Sequence, residues 1–442
     1  LQQTGSGTTA ILGANTYSGT TTISAGTLQI GNGGSVGSLG TGNVVNNGTL
    51  SVNRTNGYTL GNTISGTGAL VQAGSGTTTL TAANTFSGGT IVNGGTLALS
   101  NNNVNVLSGP VTVNSGATLR AQGVNIISDT SAITLNGGTY AMGTNGDYIA
   151  SLTMNGNSTV SGTPGLGGAQ FILTAGQATN STIKTLTATG ANNLVQVNIG
   201  ISSQWGGVGG NANLNFNVVN AADSLTVSGV IADKAFDGGG NATSGAITKS
   251  GQGTLILTGD NTYSGGATIN GGTIQVGNGG TTGNITGTAA SIANQGTLII
   301  NRADSFGLDN AISGTGSLVQ AGAGTTTVGG NNTFTGGTVI NAGALRLTSA
   351  NRLADSGGVT VNGGSFDLGG FSDTVGAVTL AGGSITNGTL TGSSYDVRSG
   401  NASAVLAGGG ALTKNTTNTV TLSGANTYTC LLYTSDAADE GL

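Results

Sequence analysis

The sequence predicts an all-β protein folded as a parallel β-helix, a β-solenoid that forms a single elongated rod. Three observations support this prediction: 86 of the 442 residues are Gly, one motif recurs along the chain, and short Thr/Val/Ile/Leu runs alternate with Gly and Asn. Such runs are typical of short strands joined by tight turns. Helices need charged and apolar side chains in amphipathic spacing with Gly kept out of the interior, so a helical protein is excluded.

The composition excludes several classes of function. Charged residues make up 6% of the chain and the formal net charge is −5, whereas nucleic acids and anionic membranes are bound by basic patches. We therefore expect no nucleic-acid partner. A single Cys excludes a disulfide framework, and the absence of His excludes His-based metal clusters and hydrolytic triads. No cofactor or metal is predicted, and no apolar run reaches the roughly 18 residues that span a bilayer.

One motif is complete four times and begins a fifth time. The full copies span 5–31, 74–100, 251–277 and 322–348, and the fifth begins at 418–429. Each copy contains an Asn-Thr-aromatic triplet, and in the third copy two Gly follow closely. We predict that these residues carry the structure of the repeat: Asn15, Tyr17, Asn84, Phe86, Asn261, Tyr263, Gly265, Gly266, Asn332, Phe334, Asn426 and Tyr428.

A larger duplication contains these copies. Segment 46–100 aligns without gaps to 294–348, with 32 of 55 positions identical. We therefore predict a first repeat module at 1–143, a less repetitive β-helical insert at 144–250, a second module at 251–390, the start of a further repeat at 391–429, and a non-native tail at 430–442.

The spacing of the triplets predicts the size of one coil. Separations of 69 residues (Asn15 to Asn84) and 71 residues (Asn261 to Asn332) correspond to three coils of about 23 residues each, typical of a three-sided β-helix. The chain would then make roughly 19 coils. At about 4.8 Å per coil they form a rod on the order of 90 Å long.

Alternation within the strands predicts the interior. Leu255, Leu257, Ile274 and Val276 fall on one face of their strands and are expected to line the core. The turns Asn93-Gly94-Gly95 and Asn270-Gly271-Gly272 supply residues that tolerate a positive φ. Stacked coils place like residues above one another, which predicts Asn ladders and aromatic stacks along the axis.

The third copy, GQGTLILTGDNTYSGGATINGGTIQVG, resembles the passenger-associated transport repeat of autotransporters. The first copy departs from that pattern at Ser24-Ala25-Gly26 and the fourth at Asn341-Ala342-Gly343-Ala344. The resemblance implies a right-handed β-helical passenger that is not an enzyme and is exported through the periplasm and outer membrane to the bacterial cell surface. It also implies that the repeats assist vectorial folding, because each finished coil templates the next.

The resemblance further implies two kinds of partner. Autotransporters normally end in an outer-membrane β-barrel, so the first partner is the protein's own C-terminal barrel, which is not among these residues. The second is a glycan or protein on the surface of a host or neighbouring cell, bound by a structural or adhesive stalk.

Both ends of the chain depart from these expectations. The chain starts at Leu1 without a Met or a signal-peptide pattern, so we expect its natural N-terminus to be missing. The fifth copy stops after Thr429 and continues as CLLYTSDAADE, which resembles the translation of a common sequencing-library adapter. We therefore predict that 430–442 is not native and that Cys430 has no functional role.

Two alternative functions remain open at this point. In the first, a glycan-active β-helix enzyme has its site in the insert, because β-helix hydrolases use clustered carboxylates. In the second, the chain is a filamentous adhesin secreted by a separate partner transporter. The residues of the enzyme hypothesis are Asp223, Asp233, Lys234, Asp237 and, as a sugar platform, Trp205. The simpler explanation of these residues is a polar loop that protrudes from the rod, with Trp205 capping a local core, and no second acidic cluster supports catalysis.

Overall fold

The computed structural model describes residues 1–101, 105–123, 126–143, 147–162, 170–173, 183–201, 212–233, 244–285, 290–429 and 432–434. Within these residues every regular element is a β-strand, and strands of successive coils pair in parallel through about 18 turns. The predicted all-β parallel β-solenoid is confirmed, with a turn count close to the expected one. The chain divides into two compact units, Leu1–Gly245 and Ala246–Leu442, which are described in turn.

The first unit begins with sixteen strands of two to eight residues. They are β1 (Gln2–Gln3), β2 (Thr8–Ile11), β3 (Thr21–Ile23), β4 (Thr27–Gly34), β5 (Val44–Asn46), β6 (Thr49–Arg54), β7 (Tyr58–Leu60), β8 (Ile64–Ser65), β9 (Ala69–Gln72), β10 (Thr77–Leu80), β11 (Thr90–Val92), β12 (Thr96–Leu99), β13 (Val111–Asn114), β14 (Thr118–Ala121), β15 (Ala132–Asn136) and β16 (Thr139–Met142).

Ten further strands complete the first unit and lie within the predicted insert. They are β17 (Asp147–Ile149), β18 (Ser151–Asn155), β19 (Thr159–Gly162), β20 (Gln170–Leu173), β21 (Ile183–Thr189), β22 (Asn193–Val195), β23 (Asn198–Ile201), β24 (Ala212–Val218), β25 (Ser224–Val227) and β26 (Ile231–Asp233).

The second unit has twenty strands, the first of which starts at the unit boundary. They are β27 (Gly245–Ser250), β28 (Thr254–Leu257), β29 (Ala267–Ile269), β30 (Thr273–Val276), β31 (Ile292–Asn294), β32 (Thr297–Ile300), β33 (Ser305–Leu308), β34 (Ile312–Ser313), β35 (Ser317–Gln320), β36 (Thr325–Val328), β37 (Thr338–Ile340), β38 (Ala344–Leu347), β39 (Val359–Val361), β40 (Ser365–Leu380), β41 (Ser384–Val397), β42 (Gly400–Ala402), β43 (Val405–Ala407), β44 (Leu412–Lys414), β45 (Val420–Leu422) and β46 (Leu432–Thr434).

Each face of the solenoid in the first unit is a parallel sheet that gains one strand per coil. One sheet runs through β2, β4, β6, β9, β11, β13, β15, β18, β21 and β24, and a second runs through β7, β10, β12, β14, β16, β19, β22 and β25. Two four-stranded sheets form further faces, β1-β3-β5-β8 and β17-β20-β23-β26. Thr77 pairs with Thr96 and Thr96 with Thr118, so one coil takes about 20 residues, close to the predicted size.

Coils in the insert are longer than those of the repeats. Thr159 pairs with Leu194, 35 positions later, whereas Thr139 pairs with Thr159 only 20 positions later. The strands of the insert nevertheless keep parallel register, as in the pairing of Leu186 with Phe216. The longer spacing therefore leaves the ladders of the described strands intact.

The second unit repeats this plan and adds two long strands. β40 pairs through its first residues with β38 and through its last residues with β39, so one strand contributes to two faces. The register between β40 and β41 shifts between Asp367 and Phe371, directly after the residues of β40 that pair with β38. Of the predicted non-native tail, only β46 falls within the described residues, where it pairs with β44.

The interior is lined by the alternate residues predicted from the sequence. Leu255 pairs with Ile274 and Leu257 with Val276, and all four side chains are fully buried. Burying a Leu, Ile or Val side chain contributes about 1.5–3 kcal/mol. Since every coil adds such residues above those of the previous coil, the core is continuous within each unit.

Gly residues with positive φ close the predicted tight turns. Gly95 has φ +56° and Gly272 φ +65°. A Cβ at Gly272 would lie 2.5 Å from the carbonyl oxygen of Gly253 in the preceding coil. These two turns therefore require Gly both for its conformation and for the close approach of neighbouring coils.

Candidate functional site

The Asn of the repeated triplet forms hydrogen bonds with three successive coils. Asn84, which is 3% exposed, accepts the backbone N–H of Ile64 in the preceding coil through Oδ1 at 2.8 Å. Its Nδ2 donates to the carbonyl of Val106 in the following coil at 2.9 Å and to that of Ala82 in its own coil at 3.0 Å. One neutral side chain thus pairs three backbone groups that are not joined by the strand ladders, an arrangement we call the Asn clamp.

The same geometry recurs in the second unit. Asn332 Oδ1 accepts the N–H of Ile312 at 2.9 Å, and its Nδ2 donates to the carbonyls of Arg352 at 2.8 Å and Gly330 at 3.0 Å. In the fifth copy, Asn426 Oδ1 accepts the N–H of Leu406 at 2.9 Å. Because a buried backbone group without a partner costs free energy, each clamp stabilises the contact between coils.

The other two Asn side chains make part of this pattern. Asn15 Nδ2 donates to the carbonyls of Ser38 at 2.8 Å and Gly13 at 3.2 Å, and the residue is half-buried. Asn261 is buried, and its Nδ2 donates to the carbonyl of Asn284 in the next coil. All five predicted Asn residues therefore bond backbone of an adjacent coil.

The aromatic residue of the triplet fills the core below the clamp. Phe86, Tyr263 and Phe334 are fully buried, whereas Tyr17 and Tyr428 are half-buried. Burial raises the pKa of the Tyr263 hydroxyl well above its usual value. Aromatic stacks along the axis stay a prediction. Within the second unit, Tyr428 packs beside Tyr395 with ring centroids 6.5 Å apart.

The two predicted Gly residues differ in their environment. Gly266 is buried with φ +88°, and a Cβ there would lie 2.6 Å from the carbonyl oxygen of Ser291. Its counterparts Gly89 and Gly337 have φ values of +86° and +83°. Gly265 is exposed in the turn just before it. The second Gly of the pair therefore sets the close approach of the next coil.

A predicted Asn ladder also forms, on the outer surface of the first unit. Asn114 donates to Asn93 at 2.6 Å, Asn136 to Asn114 at 3.0 Å, and Asn155 to Asn136 at 2.7 Å. Thr189 Oγ1 extends it by donating to Asn155 at 2.7 Å. In the second unit Asn362 donates to Asn341 at 2.9 Å in the same manner.

Two Arg side chains pin loops from the preceding coil, and no local sequence pattern marks them. The Arg54 guanidinium lies 4.9 Å from the centroid of the Tyr58 ring and donates to the carbonyls of Gly37 and Ser35. Arg302 repeats this arrangement over Phe306, 5.0 Å from the ring centroid. Comparison of the duplicated segments contains the signal, because both Arg residues are identical at the 248-residue offset.

Two acidic residues of the enzyme hypothesis, Asp223 and Asp233, are among the described residues, and both accept hydrogen bonds from backbone N–H groups. Asp223 is buried, and its oxygens accept the N–H groups of Gly190 at 2.8 Å and Asn220 at 2.7 Å. Asp233 ends a strand of a different sheet and accepts the N–H of Gly245 at 2.6 Å. Trp205, Lys234 and Asp237 lie outside the described residues. The two described carboxylates are therefore engaged in local turns and strand ends.

Within the described part of the chain, no group of three or more Cys, Asp or Glu side chains comes together as a metal site requires. Over the same residues, none of the structure is a helix long and apolar enough to cross a bilayer.

Comparison with known proteins gives matches in the repeats and across most of the chain. The family model described as passenger-associated-transport-repeat matches residues 1–30, 70–99, 247–276 and 318–347. Among the curated proteins, the adhesin BmaC autotransporter of Brucella suis biovar 1 (strain 1330) is 30% identical over 366 residues. That alignment covers 71% of this chain but 10% of the relative, so the chain spans about a tenth of its length. No solved structure matches.

Proposed function

We propose that this chain, a segment of an autotransporter passenger built on passenger-associated transport repeats, is a structural and adhesive stalk on the bacterial cell surface. The single observation that carries the proposal is the Asn clamp, which in the second and fourth copies joins the repeat to the coils before and after it. The four repeat matches and the similarity to an adhesin autotransporter support it. In this proposal the two modules, 1–143 and 251–390, supply stalk and the 144–250 insert supplies variation in coil length.

Folding and export are coupled through the same contacts. A finished coil presents unpaired strand edges and a clamp acceptor, so the next coil gains partners as soon as it emerges. Export through the periplasm and outer membrane would be completed by the protein's own C-terminal outer-membrane β-barrel. Adhesion would use the solvent-facing surface, and the partner is a glycan or protein on a host or neighbouring cell.

Surface display tests the export half of the proposal. The full chain is produced between a signal peptide and an autotransporter barrel, and intact cells are treated with protease. We expect a folded, surface-exposed chain that antibodies detect before protease treatment and not after it. Retention of the chain in the periplasm would contradict the proposal. A variant carrying Asn84→Ala and Asn332→Ala is expected to reach the surface in a smaller amount.

Binding and activity assays test the adhesive half. Cells that display the chain are expected to adhere to host or bacterial cells more than cells that display the barrel alone. The enzyme hypothesis predicts cleavage of polysaccharides by the purified chain, lost in Asp233→Asn. Such cleavage would contradict the stalk proposal. Measurable adhesion without cleavage of polysaccharides would support it. A transporter gene beside the complete gene, in place of an encoded barrel, would favour the separately secreted adhesin.

A further inference from the structure

A polar residue lies two positions before the turn that opens each repeat. In the first four copies this residue is buried and the turn is Gly-rich, whereas Lys414 of the fifth copy is half-buried and is followed by Asn415-Thr416-Thr417. We call this polar residue the plug residue, and the residue six positions later its partner. The two positions vary together across the five copies. The plug–partner pairs are Gln3–Thr9, Gln72–Thr78, Lys249–Leu255, Gln320–Thr326 and Lys414–Val420.

The Gln plugs form a closed set of hydrogen bonds. Gln320 Nε2 donates to the carbonyls of Gly322 at 2.8 Å and Gly324 at 3.2 Å. Its Oε1 accepts the hydroxyl of Thr326 at 2.6 Å. Gln72 and Thr78 show the same three distances, and Gln3 and Thr9 agree within 0.1 Å.

The chemistry of the Gln side chain explains its Thr partner. The turn directs two carbonyl oxygens inward, and a primary amide supplies two N–H donors for them. The remaining carbonyl oxygen of the amide is buried and needs a donor. In the second and fourth copies, both Gln and Thr are at most 2% exposed, so water does not replace the Thr hydroxyl.

The Lys plug also donates to carbonyl oxygens of the turns, but its side chain contains no acceptor. Lys249 is 0% exposed, and its Nζ donates to the carbonyls of Ser250 at 2.7 Å, Gly251 at 2.9 Å and Gly271 at 3.3 Å. An ammonium group has three donors and no acceptor, so a hydroxyl partner is not required. Its partner Leu255 is apolar and fully buried. In the fifth copy, Lys414 Nζ donates to the carbonyl and hydroxyl of Thr416.

We propose that the plug and partner form a matched pair, either Gln with Thr or Lys with an aliphatic residue. A coil with a Gln–aliphatic pair is then less stable against local unfolding than a coil with either matched pair. The mismatched pair leaves the Gln Oε1 buried without a donor, which neither native pair does. The repeats then fall into a neutral class and a cationic class whose plug residues are exchangeable only together with their partners. This rule concerns the coil itself and does not depend on what the passenger binds.

A double-mutant cycle in the full chain tests the rule. Thr326→Val removes the hydroxyl with little change of shape and is made both in the wild type and in the Gln320→Lys variant. Hydrogen exchange of the amides of strand Thr325–Val328 is measured by mass spectrometry. In the wild-type background we expect Thr326→Val to accelerate exchange at least about tenfold, the effect of one orphaned buried acceptor, and in the Gln320→Lys background less than about twofold. Equal acceleration in both backgrounds, or none in the wild-type background, would overturn the proposal.

Four further variants make the result specific. Thr325→Val is the matched control, because this half-buried residue lies in the same strand outside the pair, and it should leave exchange nearly unchanged. Thr326→Ser retains the hydroxyl and is expected to keep protection closer to wild type than Thr326→Val. The reverse cycle, Lys249→Gln with and without Leu255→Thr, covers the case in which Thr326→Val does not fold. There the added Thr is expected to restore the protection that Lys249→Gln removes, and a failure to restore it contradicts the rule.

Discussion

The side-chain amide of Asn84 donates to the backbone carbonyl of Val106, 22 residues later, at 2.9 Å. The two residues lie on consecutive coils, and the same Asn accepts from Ile64 on the coil before. Each strand pairing joins two neighbouring coils. The buried side chain of Asn84 instead forms hydrogen bonds in three successive coils. The stability of the coils on either side should consequently depend on this contact.

Removing the clamp should destabilise the coils on both sides of it. Asn84→Ala leaves a buried N–H on Ile64 and a buried carbonyl on Val106 without partners, at a cost of about 2–4 kcal/mol. Asn15→Ala should cost less, because Asn15 is half-buried and water replaces part of its bonds. Hydrogen exchange of peptides covering 58–110 measures the first effect. Equal losses from the two variants would show that the bond between coils is not the cause.

At Gly266 even the methyl group of Ala is expected to lower the stability of the fold. Gly266→Ala introduces a Cβ at φ +88° and 2.6 Å from the carbonyl oxygen of Ser291, which should cost about 1–3 kcal/mol. Gly280→Ala is the control, since a Cβ there meets no atom within 4 Å. Urea denaturation monitored by circular dichroism compares them. A lower midpoint for the control than for Gly266→Ala would contradict this explanation.

Because Lys249 is buried, we predict that the free energy of unfolding rises at alkaline pH. Burial lowers the pKa of its ammonium from 10.5 to about 8. Between these values the unfolded chain binds more protons than the folded chain, so stability increases as pH rises from about 8 to about 10.5, by about 3 kcal/mol in total. Lys249→Met should remove that increase. The difference between the wild-type and variant unfolding free energies, measured from pH 7 to 10, tests it, and a constant difference would exclude a titrating Lys249.

For the buried carboxyl of Asp373 we predict the opposite pH dependence, a free energy of unfolding that falls as pH rises. Its buried carboxyl accepts the N–H groups of Arg352 at 2.7 Å and Leu353 at 3.2 Å, and burial raises its pKa. The folded chain therefore holds the proton more tightly, and stability falls as pH rises above the ordinary value of 3.8. Asp373→Asn should be more stable than the wild type at pH 7, with a smaller advantage at pH 4.

Asp304 provides the control for this comparison. Its hydrogen bond with the Arg302 guanidinium lowers its pKa, so the charged form is favoured in the folded chain. Asp304→Asn is expected to lose stability at pH 7 and to approach the wild type as pH falls through the ordinary range of Asp. Thermal melts at both pH values distinguish the two carboxylates. An advantage for Asp373→Asn that does not change with pH would indicate a packing effect.

Much of the fold could be predicted from the sequence because the pattern repeats. Alternation placed Leu255 and Ile274 in the core, and the triplet spacing predicted coils of nearly the observed length. The sequence also predicted a structural role for Asn84 and Phe86, because they recur in the repeat. Repetition did not show that Asn84 forms hydrogen bonds with the coils on either side, since those bonds join residues about 20 positions apart.

The remaining features depend on packing that no local pattern records. Lys249 reads as one of ten scattered basic residues, yet it is fully buried because three turn carbonyls surround its ammonium group. The insert coil between Thr159 and Leu194 is longer than the repeat predicts, since 35 positions separate these two paired residues. The enzyme hypothesis placed Asp223 in a catalytic cluster, whereas its carboxylate accepts backbone N–H groups of a turn.

We propose that each folded coil templates the next through the clamps and strand edges. Pulsed hydrogen exchange during refolding of the full chain tests this coil-by-coil templating. We predict that protection spreads from coil to neighbouring coil within a unit and that Asn332→Ala delays it in the coils that contain Ile312 and Arg352, which the clamp joins. Protection that appears in all coils of that unit in one phase, unaffected by Asn332→Ala, would contradict templating.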